Sequence, residues 1–321
     1  MRFLLRLLLL CALVLPARGV IFLATADGAH NREVAPAGAE AAWATQGYFG
    51  GFLGTMISPH HFLTAAHVGT ASTFVSKSFF NGSGSDVTYA VNPSANGGLG
   101  YWNIAGTDLR IFEVSGTFAT WARLYEGSDE TGRDLIVTGR GLGRGAAVQL
   151  DGVDKGWLWA SGDGRVRWGT NTVSAALTYG GAQYLAADFN AGAGGDEAHL
   201  ASGDSGGAVF IQEEGAWKLA GINYAVDGRW DRDGLSNGNG FDAALTDAGG
   251  FYNGSDGGGW TLVPDEAADI PSAFYATRVS AYRSQIEAIA IPEAGPEWVA
   301  LVGLGMMMRR GRGGGSMKYE V

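Results

Sequence analysis

Cysteine is almost missing from this chain of 321 residues: the single one, Cys11, lies in an N-terminal apolar run, and everything beyond it is free of thiols and disulfides. Packing and strand pairing must therefore hold the fold. Basic residues are also short, with 22 Lys and Arg against 32 Asp and Glu; between Val20 and Ala290 the balance is 15 against 29, a net charge near −14. Such a domain lacks the clustered positive charge that follows a phosphate backbone, which excludes nucleic acid as a partner. That acidity means solubility and self-repulsion. No apolar run reaches the roughly 20 residues of a spanning helix. Helical periodicity is scarce too. Only the segment from Ser272 to Ala290 has it, with Phe274, Val279, Tyr282, Ile286 and Ile289 near one face. Histidine is confined to positions 30, 60, 61, 67 and 199.

What is abundant is glycine, 53 residues against 8 prolines, short of the disordered regime and consistent with many tight turns. Asn-Gly pairs at Asn81, Asn96, Asn237, Asn239 and Asn253 are hairpin and loop signals. The chain is expected to be mainly β, with short strands.

The stretch Ala201-Ser202-Gly203-Asp204-Ser205-Gly206-Gly207 sets one serine among glycines. A serine hydroxyl is a weak nucleophile until a base takes its proton and donors stabilise the oxyanion that forms. The glycines clear space for a substrate carbonyl. The same residues satisfy the nucleophile elbow of α/β-hydrolases, but there histidine follows serine, and here none does. A subtilisin order needs an acid before the histidine, and Asp27 is the only aspartate before His67. The remaining order is histidine, aspartate, serine. Leu63-Thr64-Ala65-Ala66-His67 ends an apolar run in histidine, and Asp108 heads the alternating strand Leu109-Arg110-Ile111-Phe112-Glu113-Val114.

These three segments together resemble the catalytic motifs of the trypsin-like, chymotrypsin-fold serine proteases. Leu135-Ile136-Val137-Thr138-Gly139-Arg140-Gly141 resembles the strand entering that family's second barrel, with Arg140 in place of its usual tryptophan. The run Tyr275 to Ile286 resembles the closing helix. The likeness spans about Gly50 to Ala290, with an inserted look between Asp227 and Ile270. It implies an all-β fold of two packed antiparallel six-stranded β-barrels with a C-terminal helix. The lobes would span roughly 20–125 and 126–270, the helix 272–290.

The resemblance also implies roles. Ser205 would be the nucleophile, His67 the base and Asp108 its orienting acid, with the Gly203 and Ser205 amides as oxyanion hole. Asp204 would pair with a new α-amino group, and cutting after Gly19 offers Val20-Ile21 for that purpose. Asn223 and Tyr224 fall on the strand that would pair with a protein or peptide substrate. His199, six residues before the nucleophile, stands where the floor of the specificity pocket is expected. An aspartate there would favour arginine or lysine; a histidine does not.

No cofactor and no metal is expected. His60 and His61 have no partners at ligand spacing. Asp227, Asp231, Asp233 and Asp242 suggest calcium, but Leu235 occupies a position that an EF-hand loop gives to oxygen. They are read as a solvated loop.

The ends give an address. Residues 1–19 have the basic start, the apolar core from Leu7 to Leu15 and the small residues of a secretory signal peptide, with Cys11 inside it. At the other end, 291–321, Ile291-Pro292-Glu293-Ala294-Gly295-Pro296 precedes the apolar run from Trp298 to Met308 and Arg309-Arg310-Gly311-Arg312. This resembles the PEP-CTERM sorting tail of Gram-negative bacteria, with Ala294 where the second proline would stand. It implies export to the periplasm, cell surface or medium, with transient membrane association through the tail. Signal peptidase and an exosortase-type enzyme would be the processing partners. The alternative is a catalytically silent protease-fold protein serving in binding, matrix or adhesion at the cell surface.

Overall fold

A computed structural model describes residues 19–291. The expected signal peptide up to residue 18, Cys11 included, and the expected tail from Pro292 onward lie outside the described residues. The chain is mostly β, in two lobes, with a short C-terminal helix.

The first lobe is a six-stranded barrel of Gln46–Phe49, Phe52–Met56, His61–Ala65, Thr73–Ser76, Val87–Val91 and Leu109–Ser115. Pairing of His61–Ala65 with Leu109–Ser115 closes the ring. Aromatic packing fills it: Phe49, Phe62, Phe74, Phe112 and Phe118 form one buried cluster, with the Phe62 and Phe112 rings stacked at 5.2 Å. Gly47 leaves the room, since a Cβ there would stand 2.3 Å from the Phe74 ring. Truncating a buried phenylalanine costs about 3–5 kcal/mol, so this cluster holds the lobe without disulfides.

The second lobe is a sheet of seven strands, in the order Arg167–Thr172, Asp134–Gly139, Ala208–Glu213, Ala216–Val226, Ala273–Arg278, Ala182–Asp188 and Ala175–Tyr179. The strand beyond the expected six is Ala175–Tyr179, joined to Ala182–Asp188 by Gly180-Gly181, both at positive φ. That is the twist-matching two-residue hairpin turn that glycine permits. Asn171 Nδ2 donates to the Asp188 carbonyl at 2.9 Å and so ties one end of the strand order toward the other.

Two boundaries differ from those expected. The helix read over 272–290 begins only at Arg283, after the strand Ala273–Arg278 and a 3-10 turn Ser280–Tyr282. The strand pairs on both sides, with Gly221–Val226 and with Tyr184–Asp188. Two ladders outweigh local helical spacing. At the start of the expected first lobe, Ile21–Phe22 pairs instead with Ala198–His199, and Val20 and Phe22 pack in the core of the second lobe.

The segment 227–270 builds a small sheet of Arg229–Asp231, Tyr252–Ser255 and Gly259–Leu262. Its neighbour Ala243–Leu245 joins the hairpin Gly143–Leu150 and Val153–Ala160. Val148, Trp230, Leu245 and Phe251 bury themselves between the two.

Candidate active site

Strand register places the first two groups. Ala65 pairs with Leu109, so the residues just past one strand lie beside the residue just before the other. The Ala66 amide donates to the Asp108 carbonyl at 2.6 Å, and His67 follows on the 3-10 turn Ala66–Val68. Asp108 then holds His67 twice: Oδ1 accepts the His67 amide at 3.0 Å, and Oδ2 lies 2.5 Å from Nδ1. With Nδ1 donating to this carboxylate, Nε2 is left as an acceptor. It lies 2.8 Å from Ser205 Oγ. The His67 side chain is 41% exposed and that of Asp108 17%, so the imidazole opens to solvent while its partner is sheltered.

Ser205 belongs to the turn leading into Ala208–Glu213. Gly203 there has φ +94°, and a Cβ would stand 2.8 Å from Gly141 Cα. Gly206 has φ +77°, and a Cβ would meet Leu53 O and Thr64 Oγ1 at 2.4 Å. Both positions require glycine on conformation and on space. Among the described residues neither the Gly203 nor the Ser205 amide donates to a protein acceptor, so both are free to receive an oxyanion.

Asp204 points the other way, into the protein. It is 1% exposed. Oδ1 accepts the Gly141 amide at 2.7 Å and Oδ2 the Ala201 amide at 2.8 Å, and the nearby Val20 and Arg140 amides also favour the charged form. Burial pushes its carboxyl up to about 7, against the pull of those amides. Val20, the expected pairing residue, is thus beside Asp204.

The substrate-binding expectations fare differently. His199 does not form the pocket floor. It is fully buried, against Phe189 and Phe274, with Nδ1 donating to the Leu200 carbonyl at 2.7 Å. Its pairing with Ile21 fixes that direction, and burial pushes the imidazole toward its neutral form. Asn223 stands in the pocket wall, yet its Nδ2 donates inward, to the Thr138 and Asp204 carbonyls at 2.8 and 3.0 Å. It braces the nucleophile turn and does not offer this group to a ligand. Tyr224 does face the site: its ring stands 6.1 Å from that of His67, edge-on, and stacks on Tyr184 at 4.9 Å.

Beside Ser205 lies a pocket of about 90 Å³, walled by Trp159, Leu200, Ala201, Ser202, Tyr224 and Val226. Asp204 is the one carboxyl among the described residues that line it, and both its oxygens are already bonded to amides. Sequence reasoning missed Trp159 and Tyr184. Trp159 arrives through the pairing of Arg144 with Trp159, and Tyr184 through that of Tyr184 with Thr277. Neither carries a local motif that would have singled it out. Asp227, read as part of a solvated loop, instead accepts the Tyr275 hydroxyl and the Ala273 amide, each at 2.7 Å.

The sequence matches no protein-family profile and none of the curated proteins. Among solved structures the chain is similar to neuropsin, a serine protease expressed in the limbic system of mouse brain. The TM-score is 0.47 at 14% identity, covering 80% of this chain and 97% of that one.

Proposed function

We propose that this chain is an exported serine endopeptidase that cleaves proteins or peptides through an acyl-enzyme. The observation that carries this reading is the unbroken relay from Asp108 Oδ2 to His67 to Ser205 Oγ, with contacts of 2.5 and 2.8 Å. Ser205 Oγ attacks the peptide carbonyl as its proton passes to His67 Nε2, and Asp108 stabilises the imidazolium. The Gly203 and Ser205 amides take the oxyanion. Collapse breaks the C–N bond, His67 returns the proton to the leaving amine, and the acyl group stays on Ser205. Water then attacks with His67 again as base, releasing the acid and restoring the serine.

The pocket supports a preference for a small apolar side chain before the cleaved bond. Its volume of about 90 Å³ is below the roughly 150 Å³ that admits benzene in a dry protein cavity. No free carboxylate waits there for arginine or lysine.

Maturation belongs to the same reading. Signal peptidase would cut after Gly19 and give Val20 a charged amine beside Asp204, while an exosortase-type enzyme would remove the tail. The destination is the periplasm, surface or medium of a Gram-negative cell.

A serine-directed fluorophosphonate tests the function. Covalent modification at Ser205 that disappears in His67→Ala is the expected result. An inert serine in the Val20-initiated chain leaves the protein as a binding, matrix or adhesion module.

A further inference from the structure

Asp231 ends the strand Arg229–Asp231 next to the buried Trp230 and is itself completely enclosed. Its Oδ1 accepts the Asp233 and Gly234 amides, both at 2.8 Å. Its Oδ2 is buried and has no hydrogen-bond partner. What comes within reach of this carboxyl is a second one, that of Asp233. Two carboxylates that meet with one oxygen unpartnered and dry are a costly arrangement unless a cation or a shared proton joins them.

The neighbouring cations are engaged elsewhere. Arg229 donates to the Gly240 carbonyl at 2.8 Å. Arg232 donates to the Gln149 carbonyl at 2.5 Å and lies against the Phe241 and Phe251 rings. Among the described residues neither Asp231 nor Asp233 has an ion-pair partner. The loop that follows is rich in oxygen donors: Asp233, Ser236, Asn237, Asn239 and Asp242.

We infer that the turn opened by Asp231 and Asp233 is a binding site for a hard divalent cation, calcium in preference to magnesium. Asp231 and Asp233 supply the anionic oxygens, and carbonyl, asparagine or water oxygens complete the shell. An irregular loop with oxygen donors suits the six to eight ligands of calcium better than the strict octahedron of magnesium. Leu235 is no obstacle, because a backbone carbonyl serves calcium as well as a side chain does. With two carboxylates, affinity falls on the order of 10⁻⁴ to 10⁻³ M, the range of extracellular modules.

The site has a structural consequence. Val226, in the wall of the pocket, lies just before Arg229–Asp231, and the loop returns to Ala243–Leu245, which pairs with the strand bearing Trp159. A bound cation fastens the loop linking these two pocket walls. This holds whether or not Ser205 is a nucleophile.

Terbium is the probe, since Tyr252 and Trp260 touch the loop at Gly234 and Gly240 and serve as sensitisers. In the exported chain, terbium emission displaced by millimolar calcium, and at least tenfold less readily by magnesium, is expected, with a calcium-dependent rise in Tm. Asp231→Asn and the milder, surface-lying Asp233→Asn should each weaken calcium at least tenfold. Without calcium, Asp233→Asn, which leaves the amide contacts of Asp231 in place, should melt close to the parent, so that its lost calcium response is read apart from any damage to the fold. Absence of sensitised emission, a Tm indifferent to calcium, or undiminished binding in both variants overturns the proposal.

Discussion

The backbone amide of Val20 lies beside the buried carboxyl of Asp204, near enough to favour its charged form, while Gly19 still precedes it. Val20 is held there at φ 64°, a left-handed value that a β-branched residue adopts only under strain, about 1–3 kcal/mol. A cut after Gly19 abolishes that torsion and turns the amide into an ammonium. The uncut chain stores strain and a desolvated acid at one place, and cleavage relieves both.

Stability should therefore depend on pH in opposite ways before and after the cut. In the uncut chain the Asp204 carboxyl is pushed up to about 7 from an ordinary value of 3.8. The folded state then holds a proton that the unfolded state has released. Its stabilising contribution is full below about pH 4 and is lost as pH rises to about 7, by roughly 1.4 kcal/mol per unit inside that window. Glu197, also pushed up to about 7 by burial, titrates alongside it, so the difference between parent and Asp204→Asn is the readout. Melting curves of uncut protein should show Asp204→Asn gaining on the parent between pH 4 and 7. In a chain beginning at Val20 the same substitution should lose stability at pH 7. A difference flat with pH in the uncut form removes the account.

Replacing the proposed relay should separate chemistry from folding. Ser205→Ala and His67→Ala should each lower turnover by on the order of 10⁶, and Asp108→Asn by roughly 10⁴, the losses typical of serine proteases. Ser205→Ala should leave the unfolding free energy within about 0.5 kcal/mol of the parent. Peptide hydrolysis and calorimetry on the same samples decide it; near-parental cleavage by Ser205→Ala sinks the mechanism.

The two glycines around the nucleophile should prove unequal to their neighbours in tolerance. Gly203→Ala and Gly206→Ala each introduce a Cβ at positive φ within 2.8 Å of another atom. A stability loss of about 1–3 kcal/mol and misplacement of the oxyanion amides should follow. The exposed Gly215, also at positive φ, has nothing within 4 Å of a Cβ, so Gly215→Ala should keep full activity. Equal activity in all three variants contradicts the steric argument.

The sequence held the local part of the site and little of its surroundings. His67, Asp108 and Ser205 each sit in a short motif that the sequence shows directly, and the fold then brings the three together. Asn223 does line the pocket, but His199 was misdirected because a side chain's facing is set by partners distant in sequence, here Ile21. The strand Ala273–Arg278 was read as helix for the same reason: its two ladders come from residues roughly 50 and 90 positions away. Of the barrel aromatics, Phe112 was legible in the alternating strand after Asp108, while the extra hairpin strand Ala175–Tyr179 carried no signal beyond Gly180-Gly181.

Specificity offers the sharpest test of the pocket itself. Its walls include Trp159, Leu200, Ala201, Tyr224 and Val226, and none presents a free charge. Peptide libraries should show cleavage after alanine or valine, with phenylalanine excluded by volume and arginine by the cost of burying an unpaired guanidinium. Val226→Ala removes two methyl-sized groups from one wall. A hydrophobic pocket discriminates by about 1–3 kcal/mol per methylene, or 10–200-fold in kcat/KM. In Val226→Ala the kcat/KM ratio for leucine over alanine should therefore rise at least tenfold, with kcat on the alanine substrate nearly unchanged. A profile that stays put in this variant means that the side chain before the cleaved bond binds elsewhere, and a parental preference for arginine would require a carboxylate that the two amides on Asp204 do not leave free.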